Sequence, residues 1–287
     1  MAQLRTMYAQ AINISLHEHD NADYGKLIKA IMATKVRVNY RSDDFIMMSS
    51  LREQAGLFYG TFARFVEIRS DRAWFDLTTG EEAEAQVMAA VNIPPDLFPN
   101  LSTFLFRFDP SRHLLIFESY GLGSTLSPNV VKAYFENVLQ QPKILAKFGG
   151  AEVTVVADHS QLEEIFKFER LTRVKMLIRR PNADHESDDF ERQVLAEMAG
   201  EGVRQLEIER IAIEGTSMRP SDRTLAYAKV AAQNGEVVTR GIEGGAVRDK
   251  STDSIPLRDG EQYDPEELSE ENILDRLANR LTRKFRS

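Results

Sequence analysis

The run Arg173–Val174–Lys175–Met176–Leu177–Ile178–Arg179 alternates cationic and apolar side chains, and its residue types suit phosphate binding. Successive side chains on a strand point to opposite faces, so Val174, Met176 and Ile178 enter a core while Arg173, Lys175 and Arg179 stand in solvent on a rigid support. Arg180, Arg170, Lys167, Lys143 and Lys147 extend the set. Residues 101–180 hold eleven Lys or Arg against eight Asp or Glu, a local balance of +3 in a chain of net charge −8. Charge concentrated against the average points to an anionic partner, and a cationic stripe is enough for sequence-independent contact with a nucleic-acid backbone. The competing reading is a solvated strand face with cross-strand ion pairs to Glu152 and Glu118.

Other constellations carry less. His17–Glu18–His19–Asp20, with Asp23 nearby, has metal-ligand residue types but no identifiable fourth ligand, and it falls where a strand gives way to a helix. No metal and no cofactor is expected there. Gly121 to Pro128 leads into a helix N-terminus, whose free amides favour an anion, but it has neither the P-loop lysine nor a dinucleotide fingerprint, and it reads as a turn. Glycine–any–serine–any–glycine is absent. Glu207 and Glu209 share a strand face, which admits paired-carboxylate chemistry, yet Ile208, Ile211 and Ile213 make them the solvent side of an amphipathic strand. Trp74–Phe75, near Arg69 and Arg72, has the types to stack a base, though such pairs are more often core. Arg276, Arg280, Arg283, Lys284 and Arg286 form a second basic set with no acid after Asp275.

The elements that position the first run are legible. Phe104, Phe106 and Phe108 share one strand face, Asp109–Pro110–Ser111–Arg112 turns, and Leu114 to Glu118 returns as its hairpin partner. Ser127 and Pro128 give the N-cap and first position of a helix carrying Val130, Val131, Tyr134, Phe135 and Val138. A strand over Glu152–Ala157 and a short helix over Ser160–Phe166, with Ser160 and Glu163 at capping-box spacing, lead into Arg173–Arg179. Upstream, Ala11–Leu16 is a strand, Tyr24–Thr34 a helix, and Lys35–Tyr40 and Gly56–Ile68 strands. A polar linker over Pro181–Asp189 precedes a helix to Ala199, a strand over Gln205–Ile213, a helix over Pro220–Gln233 capped by Ser217, and a hairpin turning at Gly241–Gly245. The last helix, Pro265–Phe285, places Ile273, Leu277, Leu281 and Phe285 in a four-residue ladder that an isolated helix would have to bury.

These elements predict an α+β fold of mixed, largely antiparallel sheets with packed helices, a main domain over 1–183 and a smaller C-terminal α/β unit over 184–287. At 287 residues, 43% hydrophobic and 28% charged, the chain can bury a core. It has no cysteine, which excludes disulfides, thiolate metal sites and cysteine nucleophiles. Met1 to Met7 lacks the pattern of a signal peptide and no run has membrane-span length, so a cytoplasmic protein is expected.

The text TFLFRFDPSRHLLIFESYG, the SPNVVKAYF helix, AEVTVVADHSQLEEIF and RVKMLIRRPN resemble a bacterial family catalogued as a domain of unknown function, family 4747, from INISLH to SIPLRDGEQYDP. More distantly, the order of hairpin, glycine-containing turn, helix, strand and basic strand is similar to RexA, a phage exclusion protein. That similarity implies a dimeric, non-enzymatic, sequence-independent DNA binder that senses infection and signals to a protein effector. The expected function is a nucleic-acid-binding sensor in antiphage defence, with DNA favoured over RNA and a homodimer as the assembly. Two alternatives stay open: a metal-dependent nuclease or toxin using His17 and His19, and a protein-binding module whose last helix docks a partner.

Overall fold

A computed structural model describes residues 4–16, 21–69, 72–89, 91, 94, 96–179 and 189–286. In chain order the strands are β1 (Arg5–Leu16), β2 (Val38–Arg41), β3 (Asp44–Gln54), β4 (Leu57–Val66), β5 (Phe75–Asp76), β6 (Glu81–Glu82), β7 (Ser102–Asp109), β8 (Leu114–Gly121) and β9 (Ser124–Thr125). They continue with β10 (Ala151–Val155), β11 (Arg170–Arg179), β12 (Gln205–Ile211), β13 (Gly235–Glu243), β14 (Ala246–Ser251) and β15 (Arg258–Tyr263). The helices are α1 (Asn21–Thr34), α2 (Ala85–Ala89), α3 (Pro128–Leu139), α4 (Pro142–Phe148), α5 (Asp189–Gly200), α6 (Asp222–Asn234) and α7 (Glu270–Arg286). A 3-10 helix spans His159–Phe166. The fold is α+β with largely antiparallel sheets, as the sequence predicts.

The larger sheet has nine strands in the order β10-β1-β8-β7-β4-β3-β2, with β15 also on β1 and β9 on β8. Around β1 it is buried on both faces, which explains why β1 is apolar in both of its alternating sets. Ile12, Ile14 and Leu16 face a core shared with α1, α3 and α4, while Met7, Ala9 and Ala11 face α7. On the first side α3 delivers Val131, Tyr134, Phe135 and Val138, the i, i+3, i+4, i+7 stripe of a core-facing helix. Ser127 is its N-cap residue and Pro128 its first helical position, as expected, although Ser127 makes no side-chain capping bond.

The second sheet has four strands in the order β12-β11-β13-β14. Its inner face, with Val174, Met176, Ile178 and Val237, packs on α5, α6 and the 3-10 helix. The β13–β14 hairpin closes at Gly244 and Gly245, whose φ values of 59° and 75° are those of a two-residue type I′ turn. The expected division at 183/184 is crossed in both directions. β11 lies before it yet pairs with β12 and β13, and β15 with α7 lies after it yet completes the larger sheet. β11 shares a sheet with β12, the next strand in sequence, and β15 pairs with the half of β1 that β10 leaves open.

Two further expectations shift. The 3-10 helix is capped by Asp158, which accepts from the Ser160 amide, and not by a Ser160–Glu163 box. The cap of α6 is Ser221, accepting from Thr224 N, while the Ser217 hydroxyl accepts from Leu171 N at 3.1 Å. The expected linker lies almost wholly outside the described residues.

The ladder of α7 is used inside the chain: Ile273, Leu274, Leu277, Ala278 and Leu281 are fully buried on the larger sheet. Arg107, itself buried, fixes the helix through Asp275 at 3.1 Å and Asn279 at 3.0 Å, and Tyr59 donates to Asp275. Beneath the same layer Glu118 is only 4% exposed and accepts from Leu105 N at 3.1 Å. Gly121 makes room for it, since a Cβ there would sit 1.7 Å from its Oε1. Burial pushes the Glu118 carboxyl up to about 7, against the backbone bond from Leu105. A raised carboxyl pKa means the folded state holds a proton that the unfolded state releases, so stability falls as pH climbs from the ordinary glutamate range to about 7. Glu118→Gln is therefore expected to stabilise the protein by about 3 kcal/mol at pH 8, a gap that closes by about pH 4.5. Urea melts of both proteins at the two pH values check this; a gap independent of pH would contradict it.

Candidate functional site

The alternation of β11 is realised as predicted: Leu171, Val174, Met176 and Ile178 are buried, and Arg173, Lys175, Leu177 and Arg179 face outward. A register shift between Leu171 and Arg173 brings Arg170 to the same side, opposite Ile242. Four cations of one strand thus line the outer sheet face, opposite the side that packs on α5, α6 and the 3-10 helix, and at one end Arg179 lies against Glu152 of β10. From Arg173 to Arg179 the line runs about 20 Å at ~3.3 Å per residue.

This face is not purely basic. Arg173 pairs with Glu209, Lys175 with Glu207 at 2.9 Å, and Arg179 Nε lies 2.6 Å from Glu152 of β10, an ion contact without the angle of a hydrogen bond. Arg240 and Asp249 add a two-pronged pair on the neighbouring strands. The register puts Arg170, Arg173, Lys175, Arg179 and Arg240 on this side with Glu207, Glu209, Glu236 and Asp249, so the strands present cations and carboxylates in near balance. Glu207 and Glu209 are thus the solvent side of β12, as the sequence predicts. The expected alternative partner Glu118 is not among the carboxylates here, because it is buried under α7.

The remaining cations are distributed elsewhere. Lys167 is exposed just after the 3-10 helix and pairs with Glu164. Lys143 and Lys147 are exposed on α4, in the helical layer of the larger sheet, where α4 packs on α1 and α3. Arg180 lies outside the described residues, as do His17, Glu18, His19 and Asp20. Among the described residues no group of three or more His, Asp or Glu is placed to hold a metal ion. The Gly121–Pro128 segment is a turn, with Leu126 N bonded to Ser119 O and Val130 N to Ser127 O. Trp74 donates to Arg69 O, and Phe75 is 67% exposed instead of joining a core. The basic residues of α7 are compensated by β15: Arg276 and Arg280 reach Glu261, and Arg280 and Lys284 reach Asp259.

The second sheet also carries a cleft that sequence reasoning missed. It opens between the 3-10 helix and α6, beside Phe190 of α5, with a volume of about 500 Å³. Its lining is split between apolar residues such as Leu162, Phe166 and Leu225 and the polar residues His159, Glu163, Asp222 and Lys229. Burial holds the His159 imidazole below its usual range, Asp158 opposes that shift and Lys229 adds to it, so the ring is neutral near pH 7.

Among the described residues no helix is long and apolar enough to cross a membrane. No curated protein matches the chain. The family model described as Domain of unknown function (DUF4747) matches residues 5–279, almost the whole length, and the chain belongs to that family.

Proposed function

We propose that this protein is a cytoplasmic, non-enzymatic nucleic-acid-binding sensor that contacts phosphates through the outer face of β11 without reading sequence. The observation that supports the reading is the alignment of Arg170, Arg173, Lys175 and Arg179 along the outer sheet face. Their partners Glu207 and Glu209 are held in surface pairs, each worth only about 0.2–1 kcal/mol, so a phosphate can displace them. The same carboxylates repel the backbone that approaches, which predicts weak, strongly salt-dependent binding instead of the tight grip of a basic protein. DNA ahead of RNA, a homodimer, and signalling to a protein effector in antiphage defence rest on the similarity of element order to RexA. The dimer has no support from α7, whose apolar ladder is covered within the chain.

Removing the two carboxylates while keeping the cations separates this reading from a merely solvated face. Each Glu about 7 Å from a phosphate costs about 0.6 kcal/mol in water, so Glu207→Gln with Glu209→Gln should tighten binding to duplex DNA about fivefold to tenfold at low salt. Fluorescence anisotropy with a labelled duplex reads this. Both side chains are exposed enough for the fold to survive, and unchanged or weaker binding would count against the ridge.

A further inference from the structure

The cores divide by chain position. The core under the second sheet is built within residues 162–255, whereas the two cores of the larger sheet are built by residues up to Val156 and from Leu257 onward. Residues 158–255 are thus an insertion in the larger unit, entered and left through one neck. Asp158 N donates to Ile255 O at 2.8 Å, Leu257 N donates to Val156 O at 2.7 Å, and Ala157 faces Pro256 between them. Two short strands joined by two hydrogen bonds, with a separate core on either side, have the geometry of a hinge, where a few backbone torsions absorb a motion of one unit against the other.

Beside the neck the units are tied by ion pairs. Lys132 of α3 reaches Asp253 at 2.8 Å, and the adjacent Thr252 accepts from Val237 N, which fastens Asp253 to the second sheet. Arg179, at the end of β11, lies 2.6 Å from Glu152 of β10. Glu136 of α3 stands within electrostatic reach of both cations and also of Asp253 and Glu236, so like charges crowd the same junction. The four paired side chains keep 19–27% of their surface in solvent, which leaves the ties weak enough to be traded for another anion. Arg179 therefore has two claims on it. It is the last cation of the ridge, and with Glu152 against it it is less exposed than Arg173 or Lys175.

We infer that residues 158–255 swing on this neck, that Arg179–Glu152 and Lys132–Asp253 latch the closed form, and that a nucleic-acid phosphate opens the latch by taking Arg179 from Glu152. The inference rests on the ridge reading and deepens it, since binding at β11 becomes a change of position between two units, an output that a sensor can pass on. Linkage fixes the converse: loosening the latch must raise affinity for the duplex by the same factor by which the duplex loosens the latch.

The chain has no cysteine, so Gln140→Cys at the exposed end of α3 and Ala199→Cys on α5, on the side of the sheet away from the ridge, each take one spin label. The distance between the labels, read by double electron–electron resonance, is expected to shift when a short DNA duplex is added to saturation, and Glu152→Gln is expected to populate the shifted distance without DNA. Lys132→Gln discriminates most sharply. It removes a cation yet should tighten duplex binding about threefold or more in fluorescence anisotropy, whereas direct charge attraction alone predicts weaker binding. Far-ultraviolet spectra matching wild type establish that each variant is folded. An unshifted distance at saturating duplex overturns the latch and leaves the ridge standing, and equal or weaker affinity in Lys132→Gln overturns the coupling. If wild type binds no duplex, the ridge fails and the trigger with it, and a DNA-free distance in Glu152→Gln equal to that of wild type overturns the hinge as well.

Discussion

Replacing Arg173, Lys175 and Arg179 together with Gln is expected to abolish binding to duplex and single-stranded DNA at moderate salt. Each lost phosphate contact removes nearly one unit from the slope of log affinity against log salt, and three of the four aligned cations go at once. The carboxylates of Glu207 and Glu209 stay behind, without their ion-pair partners, and then repel the backbone. Gln is the informative choice because Glu at these positions would gather carboxylates opposite Glu207, Glu209 and Glu152, and cross-strand repulsion would confound the result with instability. With Gln only surface pairs are lost, at about 0.2–1 kcal/mol each, so the thermal midpoint should fall by no more than several degrees. Retained binding in a folded triple variant would remove the ridge as the site.

Deleting residues 265–287 is expected to unfold the nine-stranded unit. The helix seals one face of that sheet with Ile273, Leu274, Leu277 and Leu281, each fully buried and each contributing about 1.5–3 kcal/mol. Together these match the whole net stability of an ordinary domain, about 5–15 kcal/mol. Removal also strips Arg107 of Asp275 and Asn279. The milder Leu277→Ala should cost about 2–5 kcal/mol in a urea melt while the protein keeps its far-ultraviolet spectrum. A truncated chain that melts cooperatively near the wild-type temperature would show that α7 is dispensable to the sheet and free for a partner, as the isolated ladder first suggests.

The sequence displays what depends on local period and hides what depends on register. The alternation over Arg173–Arg179 and the stripe Val131, Tyr134, Phe135, Val138 are local patterns, and both faces are as read. That Glu207 and Glu209 would stand beside Lys175 and Arg173 depends on the pairing of β11 with β12, which no spacing within either strand reveals. The strand β15 is invisible in the sequence because Arg258–Asp259–Gly260–Glu261–Gln262–Tyr263 has no apolar alternation: it holds Met7 and Ala9 in register by backbone bonds and offers Asp259 and Glu261 to α7. For the same reason the basic helix looked uncompensated, since its acids lie on another element. The turn at Gly121 announced itself by composition, but its close fit to the buried Glu118 did not. The cleft draws its lining from positions spread between His159 and Lys229, with no motif to mark any of them.

Titration of the wild-type protein onto labelled duplex DNA across a salt series, beside the triple Gln variant, tests the ridge most directly. Four phosphate contacts predict a slope of log affinity against log salt of about −3 to −4 for wild type, and no measurable binding for the variant. Absence of wild-type binding even at about 50 mM salt, or a slope near zero, would contradict phosphate recognition by β11.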